Sequence, residues 1–186
     1  MLLLILGLLI WSVVHFIPSL AQPFKAKWLE RMGATGYKIS FSLIVVLSIA
    51  LMVFGWRSTT PTFLYALPGI TRPIGMVLMV FAFLLFGASH HVTRIKQFIR
   101  HPQLVSVIIW SFAHLLMNGD SRSVLLFGGL GIWAILEIFA INRREGAWQK
   151  SEIPTWQVEI KGSAISLAIF AVAALAHPYI AGVPLH

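Results

Sequence analysis

HPQLVSVIIWSFAHLLMNGD, residues 101–120, reads as one membrane-crossing helix with its start and stop signals written in. Pro102 suits a first helical position: its missing N–H costs nothing there and its φ is already helical. Asn118-Gly119 supplies a stop, with Gly119 expected in the left-handed cap conformation. The run between them spans roughly 25 Å at ~1.5 Å per residue, enough to cross a bilayer core. His114 sits inside that apolar run, and an ionisable side chain in hydrocarbon is costly unless it faces protein or a cavity. At 100° per residue, Leu104, Val107, Ser111, His114 and Asn118 share one face. Ser111, His114 and Asn118 therefore form a polar stripe that must point away from lipid. It reads either as a hydrogen-bonded packing seam or as one wall of a metal or cofactor site.

Composition places the rest of the chain in the same setting. Of 186 residues, 58% are hydrophobic and only 11% charged, far below the ~25% charged of a soluble domain. Mean hydropathy is +0.85. The expected fold is all-α, a polytopic membrane helical bundle of about six transmembrane helices in a single domain over residues 1–186. There is no cysteine, which excludes disulfides and thiolate metal sites.

The six spans are Met1–Leu20, Ile39–Trp56, Pro73–Ser89, the opening stretch, Ser123–Ile141 and Gly162–Ile180. The first reads as a retained helix and not a signal peptide, because no basic residue precedes the apolar run. Gln22–Lys38 reads as a basic loop broken by Gly33 and Gly36, with Trp28 at an interface. Asp120 is placed to close the turn into span five and to cap it. Asn142–Lys161 is the longest polar segment. Eleven lysines and arginines fall in the loops after spans one, three and five, against three after spans two and four. By the positive-inside rule the first set is cytoplasmic and both termini face outward, to the periplasm of a bacterial inner membrane.

The net charge of +8 and pI near 10.5 therefore orient helices; nucleic acid is not an expected partner, since the basic residues are strung along membrane boundaries. No phosphate-cradling glycine loop, HExxH or GxSxG is present. Glu137 is the lone carboxylate inside a span, and Arg94, Arg144 and His15 are its candidate partners.

Histidines number seven. His90, His91 and His101 lie at the cytoplasmic boundary and read as solvated or helix-start residues. His186 ends the chain. His15 lies near the cytoplasmic end of span one, and His177 near the outer end of span six. On the helix rise, His15 and His114 differ in depth by about 12 Å, whereas His177 lies closer to the level of His114.

IKQFIRHPQL followed by WSFAHLLMNGD resembles the signature of the NnrU family. The likeness extends to His15, to GYKISFSL, to Glu137 with Arg143-Arg144, and to HPYIAGVPL. Glu137 stands where an aspartate is expected. Bacterial members of that family are associated with nitrite and nitric oxide reduction. The plant zeta-carotene isomerase, similar to the family, uses b-type haem for cis–trans isomerisation of a hydrophobic substrate. The resemblance thus implies a b-type haem with His114 and His15 as iron ligands. Depth makes His177 the alternative partner of His114, with Ser111 and Asn118 as supporting groups. Arg100-His101-Pro102 also resembles the Arg-His-Pro of membrane isoprenylcysteine and phospholipid methyltransferases, which bind S-adenosylmethionine; Glu145 stands alone where those proteins carry an acidic pair. A third reading is a non-catalytic assembly partner of a respiratory reductase, using Asn142–Lys161.

Overall fold

Six α-helices make up the computed structural model, which describes residues 1–182: α1 (Leu2–Leu20), α2 (Gln22–Ser58), α3 (Thr71–Ala88), α4 (Pro102–Met117), α5 (Ser121–Glu145) and α6 (Trp156–Ala181). A short 3₁₀ turn, Arg94–Gln97, lies between α3 and α4. His186 and the end of HPYIAGVPL fall outside the described residues. Five helices are long and apolar enough to cross a membrane, and α4 is shorter at 16 residues. Side chains such as Leu2, Phe54, Phe139 and Leu175 stand more than half exposed. Apolar surface on that scale suits lipid and not water. The chain is a multi-pass α-helical membrane protein.

Successive helices run antiparallel, and the main contacts join α1 to α2, α3 to α4, α4 to α5, α1 to α5, and α3 to α6. In a bilayer, lipid tails are as apolar as leucine, so helices associate through close backbone approach and not through loss of water. Small residues do this at each contact. Gly7 lies where a Cβ would meet Met52 N and Ser48 O, each at 2.8 Å, and Gly55 sits on the backbone of Leu4. Gly75 faces Ala113 O and Met117, and Gly131 faces Ser111. Leu4, Leu8, Met52, Leu130, Trp133 and Ala134 form the central cluster where α1, α2 and α5 meet.

Two expectations change. Gln22–Lys38 is helical, not a loop: α2 begins at Gln22 and is interrupted only at Gly33, whose φ of 67° and ψ of 173° turn the chain. Gly36 does not break it. Phe24, Trp28 and Met32 recur every four residues, and Trp28 Nε1 donates to Met32 Sδ at 3.1 Å. One side of this segment is therefore apolar, with Lys25, Lys27 and Arg31 beside it, the pattern of an interfacial helix. Secondly, Gly119 is not left-handed; among the described residues only Gly33, Gly146 and Gly182 have positive φ. Gly119 is required for room. A Cβ there would collide with the carbonyl oxygen of Tyr65, because residues 59–70 pass as a strap over the end of α4. Leu64 N and Tyr65 N both donate to Gly119 O, at 2.9 and 3.0 Å.

The strap also satisfies the carbonyls that a helix C-terminus leaves without partners. Tyr65 Oη donates to Leu115 O at 2.7 Å, and just past the strap Thr71 Oγ1, at the start of α3, donates to Leu116 O at 2.9 Å. Asp120 caps α5 as expected, accepting from Arg122 N and Ser123 N, both at 3.1 Å.

Candidate functional site

Two tryptophan–histidine pairs, each spaced Trp-x-x-x-His, approach α5 from different helices. On α4, His114 Nδ1 lies 2.9 Å from Trp110 O; on α1, His15 Nδ1 lies 2.8 Å from Trp11 O. A carbonyl only accepts, so each Nδ1 carries the proton and each neutral ring keeps its lone pair at Nε2. The i−4 spacing brings the tryptophan ring against its own histidine, with centroids 4.8 Å apart on α4 and 4.1 Å on α1. Residues of α5 complete each nest. Phe127 stacks on His114 at 4.2 Å, and Trp133 meets His15 edge-on at 5.1 Å.

His114 is 8% exposed and Ser111 2%, so the polar stripe faces the bundle. Its members do not act together. Ser111 Oγ is buried without a hydrogen-bond partner among the described residues, and Asn118 Nδ2 donates to the backbone carbonyl of His114 at 3.1 Å, not to its ring. The groups that orient the imidazole are Trp110 and Phe127. The Trp-x-x-x-His spacing was readable in both spans; Phe127 and Trp133, which lie in an ordinary apolar run, gave no such signal.

His15 and His114 are not brought together. They contact α5 at Trp133 and Phe127, six residues or about 9 Å apart on the helix rise, with Leu130 of the core between those levels. A single haem joining them would require this aromatic packing to move. His177 on α6 is half-buried and within electrostatic reach of His114. Among the described residues no three histidine or carboxylate side chains gather as a metal cluster. For a haem iron, which takes one or two imidazole ligands, the donor chemistry fits at His114, fixed through Nδ1 with Nε2 left as the ligating atom.

Glu137 is 6% exposed, and of the three charged residues expected Arg144 attracts it only from a distance; its hydrogen-bond partner is Ser19, whose Oγ donates to Oε2 at 3.0 Å. Arg144 binds Pro18 O and Glu145 instead. At the same end of the bundle, His101 Nε2 donates to Asn142 Oδ1 at 2.8 Å, a helix-start contact. Arg100 reaches Glu145 Oε2 at 3.3 Å and Gly146 O at 2.8 Å. Arg100, His101, Glu145 and Trp148 line an open polar cavity of about 440 Å³.

A polytopic all-α membrane protein with two backbone-anchored histidines, His114 buried and His15 half-buried, is the class these features define. The family described as NnrU protein matches residues 3–185, and the chain belongs to it. No curated protein and no solved structure matches the chain.

Proposed function

We propose that this NnrU-family protein holds a b-type haem through His114 and serves nitrite or nitric oxide metabolism, or the cis–trans isomerisation of a hydrophobic substrate, in a bacterial inner membrane. The observation that carries the reading is the state of His114: buried, with its proton fixed on Nδ1 by Trp110 O and Nε2 left to ligate. His177 is the first candidate for the second ligand and His15 the next. When bound, the haem supplies a redox-active iron in a low-dielectric setting. The chain's own residues do the positioning. Trp110 O holds the imidazole tautomer, as carbonyl partners of ligating histidines do, and Phe127 holds the ring plane. The strap 59–70 ties down the end of α4 one turn beyond His114 and covers that end from water.

The test is a reduced-minus-oxidised spectrum of protein expressed with ample haem and purified in detergent. A Soret band lost in His114→Ala is expected, and His177→Ala and His15→Ala then identify the partner. No band, or one indifferent to His114, overturns the reading.

A second reading has one observation in its favour. Glu145 joins Arg100 and His101 around a single cavity, which supplies the Arg-His-Pro side and one of the two acidic residues of an S-adenosylmethionine-dependent membrane methyltransferase. Calorimetric binding of S-adenosylmethionine that fails in Arg100→Ala would support it. Copurification with a respiratory reductase, with neither haem nor methyl donor bound, would support an assembly role.

A further inference from the structure

A groove of about 560 Å³ lies between α3 and α6, within the ~300–1,000 Å³ range of small-ligand sites. Its walls are apolar, with Phe83, Phe86, Ile165 and Ile169 among them, while His90, His91 and Lys161 stand at one end. The groove exists because two small residues let the helices approach. A Cβ on Gly87 would strike Ser166, and one on Gly162 would strike the ring of His91. Phe83 and Phe170 meet at 5.3 Å further along the same seam.

The polar end is electropositive by construction. Lys161 is exposed and makes no hydrogen bond or ion pair among the described residues. Lys96 Nζ is anchored on the carbonyls of Ser89 and His91, at 3.0 and 2.8 Å, which fixes a second ammonium over the loop that forms the mouth. The carboxylate of Glu159 is turned away to the loop following α3, where Thr93 Oγ1 donates to one oxygen at 2.6 Å and Arg94 N to the other at 2.9 Å, and it makes no ion pair with Lys161. The depth is that of lipid headgroups. Trp156 opens α6 in a position typical of interfacial tryptophan, with the Arg94 guanidinium 4.1 Å over its ring.

We propose that this groove is a binding site for an anionic phospholipid, one acyl chain lying between α3 and α6 and the phosphate facing Lys161, His90 and His91. An apolar slot ending in unneutralised cations at headgroup depth matches an amphiphile with an anionic head. It does not match a free anion, which has nothing to place in the slot, or a neutral lipid, which leaves the cations unmatched.

The test uses the full chain in neutral detergent, followed by native mass spectrometry with added phosphatidylglycerol or phosphatidylcholine. Wild type should retain phosphatidylglycerol preferentially. Lys161→Gln, at an exposed position that does not endanger folding, should lower that preference about fivefold. Ile165→Trp, which fills the slot, should reduce retention of the lipid with the charge left intact. Equal retention of the two lipids by wild type, or unchanged selectivity in Lys161→Gln, overturns the proposal. So does loss of the retained phosphatidylglycerol to added inorganic phosphate alone, which would show a site for the free anion. Haem content is read from the same samples, so loss of the lipid site and loss of the haem site are distinguishable.

Discussion

Replacing Gly119 by alanine should destabilise the protein through the strap and not through the helix it follows. A Cβ at this position collides with the carbonyl oxygen of Tyr65, which is backbone and cannot swing aside. The strap must lift, stretching the bonds from Leu64 N and Tyr65 N to Gly119 O and the bond from Tyr65 Oη to Leu115 O. At about 0.5–1.5 kcal/mol for each bond, with partial retention, the cost is about 2–3 kcal/mol. By the scaling of 150–250-residue domains, that lowers the melting temperature by about 5–10 °C. The comparison variant is Gly128→Ala in α5, where an added Cβ meets nothing within 4 Å; an interior helical glycine replaced there should gain up to about 1 kcal/mol. Thermal unfolding in one detergent, with both variants side by side, is the assay. If Gly119→Ala melts with the wild type or with Gly128→Ala, the strap does not hold the end of α4 and the reasoning fails.

Ser19→Ala should cost about 1–3 kcal/mol, because it removes the hydroxyl that serves the buried Glu137 carboxylate. The double variant Ser19→Ala/Glu137→Leu should recover part of that loss, and strictly additive effects in the cycle would show that the contact carries no energy. Tyr65 lies outside the spans, and burial, then the charge of Asp120, raises its phenol above the ordinary value near 10. A raised folded value means the contribution of Tyr65 is intact below pH ~10 and is lost as pH climbs through the folded value. The stability gap between wild type and Tyr65→Phe should therefore narrow in alkaline buffer, and a gap that stays constant to pH 11 would contradict this.

The bundle was legible because each span is a predominantly apolar run, and a bilayer admits few other conformations for such a run. What the residues could not announce was context. Gly119 looks the same whether the chain needs positive φ or space, and the space is taken by Tyr65, more than fifty residues away. Gln22–Met32 looks like a loop if its lysines are weighed and like a helix if Phe24, Trp28 and Met32 are. Glu137 invited a charged partner, yet the neutral Ser19 answers it. A hydroxyl on the facing helix is at hand, and it spares the cost of burying a second charge. For the candidate site, depth arithmetic already separated His15 from His114. The identity of the rings that intervene on α5 required tertiary packing.

Gly33 has a mechanical consequence. Nothing lies within 4 Å of the place its Cβ would occupy, so the bend between residues 22–32 and the membrane-crossing part of α2 is set by backbone torsion and not by a wedge of side chains. The basic arm is joined at both ends, through Ala21 to α1 and through Gly33 to the membrane-crossing part of α2, so Lys25, Lys27 and Arg31 are carried between two packed helices. Trp28 meets Tyr37 across the bend, with ring centroids 5.0 Å apart. The arm is thus a bridge with one glycine joint at Gly33 and an anchor at Pro18, whose carbonyl accepts from Gln22 Nε2; it carries a basic ledge beside the bundle, while the histidine nests on α5 stay where the core holds them.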